Sequence, residues 1–91
     1  MMKLNDFKKT GMFTCREDFE KTKNPIPPLH PDCTDVLVYE GGFYIECLKT
    51  NSFLLNIKYE GEQLIFSHDK LDAIEKILWE EFADKIINKK N

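Results

Sequence analysis

Between residues 40 and 61 the chain carries three turn signals, and each fixes which residues of the flanking runs can face one another. Gly41-Gly42 joins two alternating runs and suits a two-residue hairpin turn with positive φ at both positions. It predicts that Glu40 pairs with Phe43, Val38 with Ile45 and Val36 with Cys47. Glu60-Gly61 in the same way pairs Tyr59 with Glu62, Ile57 with Leu64, Leu55 with Phe66 and Phe53 with His68. Between them, Lys49-Thr50-Asn51 fits a three-residue loop with Asn51 in the left-handed region. A two-residue loop there would turn Asn56 and Lys58 onto the apolar face, because a slip of one residue reverses a strand.

The expected sheet is therefore a four-stranded antiparallel meander, residues 35–40, 43–48, 52–59 and 62–67. One face is apolar: Val36, Val38, Phe43, Ile45, Cys47, Phe53, Leu55, Ile57, Tyr59, Leu64 and Phe66. Such a face needs a cover, and residues 69–88 supply one. Asp69 reads as the N-cap of a helix in which Leu71, Ile74, Ile77, Leu78, Phe82 and Ile86 recur at helical spacing. The fold class expected is α+β, a four-stranded meander on one C-terminal helix.

Ahead of the sheet, all four prolines fall within Pro25–Pro31, where fixed φ and missing donors forbid a helix or a central strand. Residues 25–34 read as a stiff crossover. Thr14-Cys15-Arg16-Glu17 has the form of a capping box and predicts a short helix over residues 15–23 within an N-terminal segment, 1–24. A length of 91 residues supports one core, so these parts belong to a single domain, 1–91.

Composition narrows the class of function. No apolar run approaches a membrane span, and Met1-Met2-Lys3-Leu4-Asn5-Asp6 lacks the apolar stretch of a signal peptide, so a cytoplasmic protein with no membrane contact is expected. Cys15, Cys33 and Cys47 are odd in number and without paired spacing, which favours reduced thiols. The formal charge of −3, with a net −4 in residues 25–68, argues against direct nucleic-acid binding.

The chemistry-bearing residues do not form an enzyme signature. Cys15, His30 and Cys33, with Cys47, are the ligand types of a Cys3His zinc site, but no C-x2-C is present. Cys47 and His68 share a cross-strand row with Phe53 between them, which keeps a thiol–imidazole pair apart. There is no phosphate loop, HExxH or GxSxG. No enzyme and no cofactor are expected, and a zinc- or thiol-dependent protein using His30, Cys33 and Cys15 is the alternative.

A binding surface is the leading expectation. The sheet's second face would carry Leu37, Tyr39, Tyr44, Leu48, Leu54 and Ile65, which is more apolar than solvation requires. Either Met12, Phe13, Phe19, Ile26 and Leu29 fold across it, or it is an interface, including that of a homodimer. Tyr39, Tyr44 and Trp79 are the candidate anchors. Glu40, Glu60 and Glu62, near the hairpin ends, are the candidate acidic contacts, suited to a basic groove on a protein partner, including one that binds nucleic acid.

The run from Asn51 through Asn56-Ile57-Lys58-Tyr59-Glu60-Gly61-Glu62 to Trp79, an acidic strand, Gly turn, strand and helix, resembles the core of small phage-encoded inhibitors of CRISPR nucleases. It covers about a third of the chain. The resemblance implies a stoichiometric inhibitor that occupies a basic nucleic-acid site on its target. Small immunity proteins share the same general appearance.

Overall fold

The computed structural model describes residues 3–7, 9–14, 19 and 29–88. The sheet is antiparallel and five-stranded: β1 (Lys9–Phe13), β2 (Cys33–Tyr39), β3 (Tyr44–Leu48), β4 (Phe53–Tyr59) and β5 (Glu62–His68), in that spatial order. The C-terminal helix follows as α1 (Leu71–Leu78), a π turn (Trp79–Ala83) and α2 (Asp84–Ile87). The α+β class with one C-terminal helix holds, while the strand number is corrected from four to five. The added strand, β1, is short, contains Gly11 and shows no clean alternation, so its sequence carries no strand signal. The expected helix at residues 15–23 and the prolines 25–28 lie outside the described residues, apart from Phe19.

Two of the three expected turns form as read. Asn51 adopts φ 62, β3 meets β4 at Cys47↔Phe53, and β4 meets β5 from Phe53↔His68 to Tyr59↔Glu62 without a break. The first turn differs. Glu40–Gly42 forms a 3-10 turn, and the Tyr39 N–H donates to the Phe43 carbonyl at 2.7 Å, so the loop holds three residues. The register becomes Val38↔Tyr44, Leu37↔Ile45 and Val36↔Glu46, one residue away from expectation.

That slip reverses β2. Leu37 and Tyr39 join the core under the helix with Phe7, Ile45, Leu55, Ile74, Leu78, Trp79, Phe82 and Ala83. Val36 turns to the opposite face, where Phe19, Leu29 and Cys33 form a second, smaller core with Phe13, Val38, Tyr44 and Leu48 against it. Since β2 is apolar on both faces, alternation cannot choose between the two registers. The buried Glu46 carboxylate accepts the His30 N–H at 2.7 Å through Oε1, fastening the approach to β2 onto β3. Lys49 fastens it again, with its N–H on the Asp32 carbonyl at 2.9 Å and its ammonium 3.4 Å from the Asp32 carboxylate.

The helix also departs from the simple stripe. No side chain caps α1; Asp69 instead turns toward His68, its carboxylate 2.9 Å from Nδ1, the nitrogen that, when unprotonated, accepts the Lys70 N–H at 3.1 Å. A π turn adds about one residue to a helical repeat and so advances the buried face by one position. Ala83 and Ile87 consequently pack inward, and Ile86, expected in the core, is 45% exposed.

Candidate functional site

The meander brings the β2–β3 and β4–β5 turns to one end of the sheet, and the helix ends there too. An added Cβ on Gly41, at φ 83, would stand 3.0 Å from the Phe43 ring and 3.4 Å from Ile87 Cδ1, so glycine permits both the turn and the close approach of the helix. Glu40, Glu60 and Glu62 are all exposed at this end, and among the described residues no ion pair or hydrogen bond involves their carboxylates.

Glu60 sits at φ 52 and Gly61 at φ 82, both in the left-handed region. A two-residue hairpin of this kind favours Asn or Asp at its first position, because their short side chains tolerate that conformation. Glutamate there carries strain of about 1 kcal/mol. The residue that bears this strain carries an exposed carboxylate at the hairpin tip.

Next to these carboxylates the sheet opens. The β3–β4 ladder has two residue pairs, Glu46↔Leu54 and Cys47↔Phe53, against seven for β4–β5. Beyond Glu46 the strands part around a cleft of about 190 Å³, lined by Gly42, Phe43, Tyr44, Leu55 to Lys58 and Ile86. Its lining is mostly apolar, and Lys58 is the cation within it. The cleft has room for an apolar side chain, and Glu40, Glu60 and Glu62 stand in the adjoining turns and at the start of β5, at the same end of the sheet. A second hollow of about 240 Å³ lies between Leu4, Phe7, Tyr39 and Glu75, where the buried Tyr39 hydroxyl already donates to Glu75 at 2.5 Å.

The aromatic anchors expected from the sequence stand elsewhere. Tyr39 is 2% exposed and stacks on Phe7 at 5.4 Å between ring centroids. Trp79 is 6% exposed, with its ring centroid 5.1 Å from that of Phe7. Both belong to the core under the helix, Tyr39 because β2 is reversed and Trp79 because Phe7 packs against it at the edge of the helix's apolar stripe. Tyr44 is half-buried on the second face, 4.8 Å from Phe19 between centroids, and its hydroxyl is enclosed. Burial, and then the Glu75 hydrogen bond and charge, push the Tyr39 hydroxyl well above the usual phenol range. Burial and the nearby Glu46 and Cys33 raise that of Tyr44. Tyr39 and Trp79 therefore offer no exposed ring, while Tyr44 keeps part of its surface in the lining of the cleft.

The residues of the zinc or thiol alternative are occupied by the turn before β2. His30 Nδ1 accepts the Asp32 N–H at 3.0 Å, and the buried Cys33 thiol donates to the Asp35 carbonyl at 3.4 Å. Cys15 lies outside the described residues. Among the described residues no three His, Cys, Asp or Glu side chains converge as a metal site. Cys47 is half-buried, with burial and then Asp35 raising its thiol above the usual range, and Phe53 separates it from His68 as the register requires.

No family model, curated protein or solved structure matches the chain. Among the described residues no helix is long and apolar enough to cross a membrane.

Proposed function

We infer that this chain is a non-catalytic protein-binding module, a stoichiometric inhibitor or regulator, and that it engages a basic partner surface with the open end of its sheet. The observation that carries this reading is the set of exposed carboxylates of Glu40, Glu60 and Glu62 beside an apolar cleft. A partner that inserts one apolar side chain between β3 and β4, with Lys or Arg around it, satisfies both parts of the surface. Rim charges of this kind steer encounter and select among partners, while the inserted group supplies the contact that holds. A groove that normally receives nucleic acid has the right charge, and mimicry of phosphate by carboxylates gives inhibition by occupancy.

The test is quantitative capture from cells of the source organism with the tagged chain and a Glu40→Lys/Glu60→Lys variant. Captured protein should fall sharply with the variant and with added salt, while stability changes by no more than about 0.5 kcal/mol per surface substitution. Equal capture by wild type and variant would remove the acidic-surface reading.

A further inference from the structure

The two outer strands of the sheet are treated in opposite ways. β1 is short, contains Lys9 and Gly11, and has a register break between those two residues, all of which discourage pairing with another strand. β5 has none of these protections. It runs for seven residues, Glu62-Gln63-Leu64-Ile65-Phe66-Ser67-His68, without Pro, Gly, Lys or a bulge. Its central residue, Ile65, is 61% exposed, the highest value among the large apolar side chains of the described residues left outside the core. An outer strand of this kind is a template for a further strand.

We propose that the free edge of β5 pairs antiparallel with the β5 edge of a second copy of this chain, joining two five-stranded sheets into one. The argument is the order of residues along the strand. Antiparallel self-pairing centred on Ile65 sets Ile65 against Ile65, Leu64 against Phe66, Gln63 against Ser67 and Glu62 against His68. Every pair matches in character: apolar with apolar, neutral polar with neutral polar, and carboxylate with imidazole. Shifting this register by two residues in either direction pairs Ile65 with Gln63 or with Ser67 and loses the match.

The backbone agrees with that centre. In the β4–β5 hairpin the closing pair is Tyr59↔Glu62, so Glu62, Leu64, Phe66 and His68 direct their N–H and C=O groups toward β4. Gln63, Ile65 and Ser67 then direct theirs outward, and the proposed register places outward-directed residues opposite one another. About six backbone hydrogen bonds result. His68 is oriented for its role: Nδ1 faces its own chain, where it either accepts the Lys70 N–H or, protonated, donates to Asp69, and in both states the Nε2–H is left for Glu62 of the other copy. The two-fold axis is perpendicular to the sheet, so both helices stay on one side, and the Ile65 side chains cover each other on the other side.

Sedimentation equilibrium of the intact chain from about 10 µM to about 1 mM tests the pairing, a range suited to a small interface. The expected result is a monomer–dimer equilibrium that is abolished by Ile65→Lys and by Ser67→Pro. The Ser67 N–H takes no part in the β4–β5 ladder, so the second variant blocks the edge from the other direction. In wild-type protein, the amides of Gln63, Ile65 and Ser67 should also gain hydrogen-exchange protection as concentration rises. A monomer throughout the range overturns the proposal. So does a dimer that survives both substitutions, or one whose formation leaves those three amides unchanged. A monomer whose β5 edge takes up a strand of another protein overturns it equally.

Discussion

Isoleucines 86 and 87 are adjacent and identical in chemistry, yet the π turn assigns them opposite environments. The perturbation is each one in turn to alanine. A fully buried Ile→Ala change costs about 2–5 kcal/mol. Ile87 is half-buried, and its Cδ1 reaches the Gly41 turn, so about 1.5 kcal/mol is expected for Ile87→Ala. Ile86 is 45% exposed on the rim of the cleft, so about 0.5 kcal/mol is expected for Ile86→Ala. The gain in helix propensity is the same for both and cancels in the comparison. A difference of about 1 kcal/mol corresponds to about 4–8 °C in Tm for a domain of this size. Urea titration followed by circular dichroism, with a thermal melt as a check, measures it directly. If Ile86→Ala costs as much as Ile87→Ala or more, the helix follows the uninterrupted 3.6-residue period, and the phase argument fails. Deleting Glu80 is a second arm: it converts the π turn to α-helix and leaves Ile87 in phase, so the loss should stay within about 1 kcal/mol, where a deletion in an unbulged helix would rotate everything beyond it.

Replacing Glu60 by Asn relieves the left-handed strain and should raise stability by about 0.5–1 kcal/mol, read as a higher urea midpoint; an unchanged midpoint would mean that the turn costs nothing as it stands. Alkaline pH should destabilise the fold. The Cys47, Tyr39 and Tyr44 pKa values are raised in the folded protein, so it holds their protons more tightly than the unfolded chain does. Their contribution is complete below the unfolded pKa values and is lost as pH rises, beginning near pH 9 for the thiol and near pH 10 for the phenols. Tyr39→Phe should therefore flatten the fall above about pH 10, measured as Tm against pH; an identical slope would exclude Tyr39 as a contributor.

What could be read from the sequence depended on whether a strand has a polar face. β4 and β5 place Asn56, Lys58 and Gln63 opposite their apolar sets, and their mutual register was legible to the residue. β2 presents Val36 and Val38 on one side and Leu37 and Tyr39 on the other, so only the packing of Phe19 and Leu29 above and the helix below fixes its direction. The acidic end of the sheet was legible because Glu40 and Glu60 belong to turns that the glycines mark and Glu62 opens the strand after one of them. The cleft was not, because the parting of β3 from β4 is a property of the assembled sheet, with no residue to announce it. Two of the anchor residues are covered for local reasons, Tyr39 by a loop one residue longer than Gly41-Gly42 alone suggests and Trp79 by Phe7, whose place in the core no spacing announces.

The connectivity of β1 bears on the order in which the fold assembles. From β2 to β5 every neighbouring strand is also the next in sequence, across connections of two to four residues. Contacts of that kind form early, because closing so short a loop costs little entropy and takes well under a microsecond. β1 reaches β2 only across residues 14–32, and closing that longer span costs about 1.4 kcal/mol more than closing a four-residue turn. The meander and helix can condense first, with β1 arriving on an edge that is already built. During that interval the chain has two open edges, and among the described residues only the one that β1 later occupies is closed by the chain itself.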